Sequence, residues 1–391
     1  MDYISQAKAH EDHIIALRRD FHRHPELSFE EKRTSQAVCD ELERIGIPYV
    51  RLADNDVVGK LVGGKAGEGS LSIAIRADMD ALPISEENQT DYVSTAPGRM
   101  HACGHDGHTA MLLGAARLLK EAQDRLQGTV YFCFQSAEEV GGGAQPILDY
   151  LAQEGGVQRV LAAHVWADVP SGDMALIQGP AMAACDGFTI TVEGLGGHAS
   201  RPDQSIDPIK PLCQMALTLS SIPTNFIRTI EPCVVHIGKL EAGTRGNIFP
   251  QTASLWGGTR TFSHDSRLKV RELIKQIATH TAQAYGANAT VEIRADSPFV
   301  DNDPQTVAEV RALLKETGLM RPVDFPPILA SENFGAYTAV YPGMMVFIGI
   351  RNEAKGLTYG HHHPRFDIDE EVLHKGSAFF ALYADRFLAG F

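Results

Sequence analysis

Within eight residues, His101-Ala102-Cys103-Gly104-His105-Asp106-Gly107-His108 assemble three imidazoles, a thiol and a carboxylate. A polar loop ordinarily carries one or two such groups. This density of soft and borderline donors is what a transition-metal site requires. The block stands just before a predicted helix start, where the helix dipole favours negative charge and predicts a lowered thiol pKa for Cys103. Gly104 and Gly107 let the backbone fold tightly enough for Cys103 and His105 to point the same way.

Four further segments offer matching chemistry. Glu138-Glu139 precede Gly141-Gly142-Gly143; adjacent carboxylates off regular structure can point apart, one toward an ion and the other toward a water whose proton it takes. His164 interrupts the apolar run Val160-Leu161-Ala162-Ala163, and His361-His362-His363 precede Pro364. Arg76-Ala77-Asp78-Met79-Asp80 closes a short apolar run. Taken singly these have bland readings: a solvated glutamate pair, a satisfied core histidine, a surface loop. Together they supply thiolate, imidazole and carboxylate donors for two divalent ions. The mixture suits Zn²⁺ or Mn²⁺, with Co²⁺ or Ni²⁺ also compatible.

The elements that must position these groups alternate between strand and helix. Two helices open the chain, and Ser28 followed by Glu31 reads as a capping box for the second, which runs to about Ile45. A strand is predicted at 71–75, a helix at 107–121, a strand at 129–135, a helix at 144–153 and a strand at 160–166. Helices near 304–317 and 369–388 surround a strand at 344–350. Such alternation predicts an α/β fold, a parallel-rich central sheet flanked by helices, and places most of the donor segments at strand carboxyl ends, where open α/β sheets bind ligands. Between these parts the order changes to strand 187–193, helix 208–220, strands 233–240 and 252–262, helix 267–285 and strand 289–295. That is the ferredoxin-like β-α-β-β-α-β arrangement. The expectation is therefore a catalytic domain formed by 1–184 and 297–391, with an α+β domain inserted over 185–296.

Composition narrows the partners. The 391 residues are 44% hydrophobic and 21% charged, as in a globular protein with a substantial core. A net charge of −14 argues against nucleic acid or an anionic membrane surface. There is no run of about 18 apolar residues, and Met1-Asp2-Tyr3-Ile4 does not begin a signal-peptide pattern, so a cytoplasmic location is expected. The six cysteines include no CxxC pair and read as reduced thiols.

Three strings carry a family likeness: Arg19-Asp20-Phe21-His22-Arg23-His24-Pro25-Glu26, Arg76 through Pro83, and His101 through Thr109. With the Ala137-Glu138-Glu139 and His362-His363-Pro364 motifs at these separations, the chain resembles the M20 metallopeptidase and aminoacylase family over about residues 14–385. More narrowly it resembles the amidohydrolase branch of hippurate hydrolases, N-acyl-amino-acid deacylases and plant auxin-conjugate hydrolases. The resemblance implies that Cys103, His105, Glu139, His164 and His362 hold two metal ions, with Cys103 bridging them, and that Glu138 is the general base. Asp80 falls where the family orients a ligand histidine. In the insert, the resemblance makes His198 a lid-loop residue that stabilises the substrate carbonyl oxygen. It makes Asn247 and Arg260 the carboxylate-binding pair, and makes the insert a lid that mediates a homodimer. Three positions depart from the family pattern: Asn333 replaces an aspartate in Ser331-Glu332-Asn333-Phe334, Val140 a glycine, and Ser136 a proline. None removes an expected ligand. The implied reaction is metal-dependent hydrolysis of N-acyl-L-amino acids of N-acetyl or N-benzoyl type. The rivals are a dipeptidase or carboxypeptidase using the same site, and a binding protein that has lost turnover.

Overall fold

The strand Thr129–Gln135 reads Thr-Val-Tyr-Phe-Cys-Phe-Gln, an almost unbroken β-branched and aromatic run, and is buried from its second residue on. A strand apolar on both faces belongs in a sheet covered on both sides. In the computed structural model, which describes residues 2–295 and 297–391, this strand lies inside an eight-stranded sheet. The order is Tyr49–Arg51, Val57–Val62, Thr129–Gln135, Ser72–Asp78, Arg159–Pro170, Gly343–Arg351, Asp173–Leu176 and Arg321–Asp324. Ser72–Asp78 pairs in parallel with both neighbours, and Gly343–Arg351 runs parallel to Arg159–Pro170. The first hairpin and the Gly343–Arg351 to Asp173–Leu176 pairing are antiparallel. The predicted parallel-rich sheet is therefore present, with short edge strands that the sequence pattern did not reveal.

The chain separates into two compact units. The first contains residues up to Gly179, Asp301–Pro326 and Ala336–Phe391; the second contains Pro180–Val300 and Pro327–Gly335. Residues 327–335 thus join the second unit although they lie outside the expected 185–296 insert. Backbone bonds tie them there: Ile328 N donates to Ala181 O at 2.8 Å, and Ala183 N to Ala330 O at 2.9 Å.

The second unit has a four-stranded antiparallel sheet in the order Cys233–Ala242, Thr252–Thr261, Ala184–Glu193, Asn288–Ala295. Phe188, Ile190 and Val192 alternate inward, against Leu212 and Met215 of helix Ile209–Ser220 and Val270 and Ile274 of helix His264–Ala284. The strand and helix order is the ferredoxin-like one expected.

Two local expectations fail. The first predicted helix is split at His10 into Tyr3–Ala9 and Glu11–Arg23. The capping box does not form either: Ser28 Oγ donates to Asp80 Oδ2 at 2.7 Å, and helix Lys32–Ile45 starts after Glu31 instead. Ser28 lies three residues before the Glu31 N-cap position, and its hydroxyl serves to hold Asp80. No helix among the described residues is long and apolar enough to cross a membrane.

One buried cation ties the first unit together. Arg18 is fully buried on the helix Glu11–Arg23, and its guanidinium donates to Asp106 (2.8 Å), Asp367 (2.8 Å) and Glu370 (3.2 Å). His22, one turn on, meets Asp106 at 2.7 Å and Glu86 at 3.1 Å. Replacing Arg18 by Met strands buried carboxylates and is expected to cost roughly 3–5 kcal/mol. Lysine should recover little of it, because an ammonium lacks the guanidinium's planar fork of donors. Urea denaturation checks this, and an unshifted midpoint for Arg18→Met would contradict it.

Candidate metal centre

The site begins at two strand ends. Ser72–Asp78 delivers Asp78 and Asp80, and Thr129–Gln135 delivers the turn Glu138–Val140. The block at 101–108 crosses between them. Gly104 has φ of +92°, and a Cβ there would lie 2.3 Å from Val165 Cγ2, so only glycine lets the chain pass this close to the strand that carries His164. Helix His105–Glu121 starts at the next residue.

Six predicted residues meet in this unit. The ligand atoms of Cys103, His105 and His164 lie within 4.8 Å of one another, as do those of Cys103, Glu139 and His362, and of His105, Glu138 and Glu139. Cys103 belongs to two of these groups and so does His105. Cys103 Sγ is 3.6 Å from His164 Nε2, and Glu139 Oε1 is 3.6 Å from His362 Nε2 and 3.9 Å from His105 Nε2. His105 Nε2 and Glu139 Oε1 are both buried without a hydrogen-bond partner. Orphaned buried polar atoms are costly, and these two face each other too far apart to bond directly. A thiol, imidazoles and carboxylates converging with lone pairs unspent fit divalent ions.

Each donor is oriented from behind. His105 Nδ1 meets Asp80 Oδ1 at 3.2 Å, and the other Asp80 oxygen accepts from Glu139 N at 3.0 Å. One carboxylate thus aims two expected ligands. His164 Nδ1 donates to Val165 O at 2.6 Å, which leaves Nε2 as the lone-pair nitrogen. His108 is spent on structure: Nδ1 lies 2.6 Å from Asp78 Oδ1 and Nε2 accepts from Val165 N at 2.9 Å. His362 takes a left-handed backbone, φ +64°, and its N–H donates to Ala102 O at 2.8 Å. His361 Nε2 accepts from Ala167 N at 3.3 Å, and its Nδ1 is buried without a partner.

The electrostatics correct one expectation. Burial, then the Glu139 carboxylate, push the Cys103 thiol well above its ordinary value, so the helix N-terminus does not prevail and ligation must displace a proton. Burial, His108 and His361 hold the His164 imidazole well below its usual range, neutral and fit to ligate. For His105, burial opposes charge, but Asp78 and Cys103 outweigh it and raise the imidazole well above its usual value.

The turn bearing the paired glutamates is strained. Ala137 is buried with φ +54°, a conformation that costs a non-glycine residue on the order of 1–3 kcal/mol. Glu31 Oε1 accepts the Ala137 N–H at 2.8 Å, and burial pushes that carboxyl up to about 7 despite the backbone donors around it. Ser136 donates through both N and Oγ to Asp56 Oδ1, at 2.7 and 2.8 Å, contacts that the proline common here could not make. Val140 is exposed at 62%.

The remaining predicted residues belong to the second unit. His198 and Asn247 share a small ribbon: Gly197–His198 pairs with Ile248–Phe249, and Ala199 N donates to Asn247 O at 3.1 Å. His198 Nδ1 accepts from Ser200 N at 3.0 Å, which puts the ring proton on Nε2. Arg260 lies on the four-stranded sheet, with Nη1 2.8 Å from Cys185 Sγ. Asn333 is buried beside Glu332.

Sequence reasoning passed over Arg18, gave Glu31 only a capping role, and included Asp78 and His108 in donor segments without assigning either a partner. A signal existed for the first. Arg18 and His22 share the helix stripe of the buried Ile14 and Phe21, where charge would not persist without partners.

Known proteins are similar to this chain over nearly its whole length. Thermostable carboxypeptidase 2 of Saccharolobus solfataricus is 38% identical, covering 98% of this chain and 97% of its own. The N-acetylcysteine deacetylase of Bacillus subtilis is 36% identical, covering 96% of each. Among solved structures, a dinuclear metal-binding peptidase from the M20 family of Bacillus subtilis superposes with a TM-score of 0.85 at 34% identity, covering 98% of this chain and 99% of that one. The model of peptidase family M20/M25/M40 matches residues 74–386. The chain belongs to that family.

Proposed function

We propose that this chain is a metal-dependent amidohydrolase that cleaves N-acyl-L-amino acids, of N-acetyl or N-benzoyl type, to a carboxylate and a free amino acid. The observation that carries the reading is the convergence of Cys103, His105, Glu139, His164 and His362 with a second carboxylate, Glu138, at the same place. Relatives named N-acetylcysteine deacetylase and N-acyl-L-amino acid amidohydrolase, at 36% and 40% identity, support the substrate class.

Cys103, His105, Glu139, His164 and His362 would hold two divalent ions, Zn²⁺ or Mn²⁺. When bound, these supply Lewis acidity that polarises the scissile carbonyl and makes water acidic near neutral pH. Glu138 takes the proton of the attacking water, and the hydroxide adds to the carbonyl carbon. The C–N bond then breaks as Glu138 returns that proton to the departing amine. His198 Nε2–H donates to the carbonyl oxygen as charge gathers there. Asn247 and Arg260 hold the substrate carboxylate, the latter by its planar fork of donors. The second unit, read as residues 185–296 at its core, acts as lid and homodimer surface, and the enzyme works in the cytoplasm.

A second reading has its own support, since two relatives at 38% identity are named carboxypeptidases. The two readings share a chemistry. The last peptide bond of any chain is the amide of an N-acylated amino acid whose carboxylate is free. They differ in the acyl group admitted, in its size and in whether it carries an α-amine or a further peptide bond.

Glu138→Gln should lower kcat by roughly 10²–10⁴-fold while metal content is retained. Wild-type-like turnover by the metal-replete variant would defeat the assignment. His198→Ala should lower kcat by about 10²–10³-fold. The substrate class is read by comparing N-acetyl-Xaa, N-benzoyl-Xaa, Gly-Xaa and N-blocked dipeptides, with Zn²⁺ or Mn²⁺ added. Amino acid release from the first two and not from the peptides is the expected pattern; the reverse pattern selects the carboxypeptidase.

A further inference from the structure

Glu31 is fully buried, sits just before helix Lys32–Ile45, and is no part of the donor cluster. Its Oε1 takes two backbone N–H groups, from Phe29 at 3.0 Å within its own loop and from Ala137 at 2.8 Å across the fold. Ala137 is the left-handed residue that immediately precedes Glu138, and its carbonyl accepts the Gly142 N–H at 2.7 Å, which closes the turn. Three residues before Glu31, Ser28 Oγ holds the Asp80 oxygen that also receives the Glu139 N–H. The loop Ser28–Glu31 therefore grips the glutamate turn twice: directly at Ala137, and through Asp80 at Glu139. A buried N–H in a strained turn needs an acceptor, or the turn relaxes to a conformation that provides one. Relaxation would rotate both glutamates away from His105.

We propose that Glu31 is a positioning residue, which by accepting the Ala137 N–H fixes the turn that presents Glu138 and Glu139 to the metal centre. The proposal rests on the reading of Glu139 as a ligand and Glu138 as the base. Acceptance at Oε1, and not charge, is the property required, so glutamine preserves it and alanine removes it. Aspartate keeps the charge but, shorter by one methylene, cannot reach Phe29 and Ala137 together.

The test compares Glu31→Ala, Glu31→Asp and Glu31→Gln in the full chain, loaded separately with Zn²⁺ and Mn²⁺. Metal retention is read by chelator competition without substrate, and kcat and KM are measured on N-acetyl-amino acids. Glu31→Ala and Glu31→Asp should each lose roughly 10–100-fold in metal affinity and in kcat. KM should stay put, and Glu31→Gln should remain close to wild type. Wild-type metal retention and kcat in Glu31→Asp overturn the proposal, as does Glu31→Gln damaged as badly as Glu31→Ala, or an effect confined to KM. If Glu31→Ala does not fold, Glu31→Asp decides. Should the unaltered protein turn over no N-acyl-amino acid, the functional reading fails, and chelator competition still decides the role of Glu31.

Discussion

The salt bridge between Arg18 and Asp106, 2.8 Å long and shielded from water at both ends, is the constraint on which the metal centre depends. Asp106 follows His105 directly, so whatever holds Asp106 sets the first turn of the helix that carries the donor block. The same guanidinium reaches Asp367 and Glu370, a few residues beyond His362. Three distant stretches of sequence are thereby fixed by one planar cation: the N-terminal helix, the Cys103–His105 block and the loop after the C-terminal histidines. A lone buried charge would be ruinous, and a buried pair is seldom worth much in stability alone. A guanidinium with several carboxylate partners is different, because its fork dictates where each partner stands.

That precision is needed because carboxylates, imidazoles and a thiol are crowded into one place. Glu138 and Glu139 lie within one cluster, and a Cys103 thiolate would add to their charge. The protein holds them by bonding several of the valences that point away from the cluster. Asp80 takes one nitrogen of His105 and the backbone of Glu139; Val165 takes one nitrogen of His164 and, through its N–H, all that remained of His108. What is left pointing inward are unpartnered atoms, His105 Nε2 and Glu139 Oε1 among them. The left-handed backbones at Ala137 and His362 belong to the same economy of geometry, strain kept in place by neighbours that leave no alternative.

How much of this the sequence disclosed follows from the range of the interactions. The strand at Thr129–Gln135 and the helices at 144–153 and 304–317 were legible because their patterns are local, as was the order of strands and helices in the second unit. The Cys103–His105 block was legible from density alone. His164 and His362 were not, since a single histidine in an apolar strand or a loop has an ordinary explanation, and only the family likeness singled them out. The Ser28–Glu31 pattern misled for a related reason. A capping box is a local rule, and Ser28 answers to Asp80, which lies 52 residues away. The helix-dipole argument for Cys103 failed on the same grounds, because a dipole's partial charge is weaker than burial beside a full carboxylate.

The two glutamates show why the division of labour could not be read from residue type. Both are carboxylates, both approach His105, and both stand on one short turn. What separates them is what the backbone does. The Glu139 N–H is anchored to Asp80, the carboxylate that also orients His105, so Glu139 is bound to the same frame as an expected ligand. Glu138 follows the strained Ala137, whose N–H is taken by Glu31. A ligand must be held in register with its ion, whereas a base must be held in register with a water molecule. The family likeness implies that Glu139 goes to the metal and Glu138 to the proton, and the anchoring of Glu139 to the carboxylate that orients His105 supports that division.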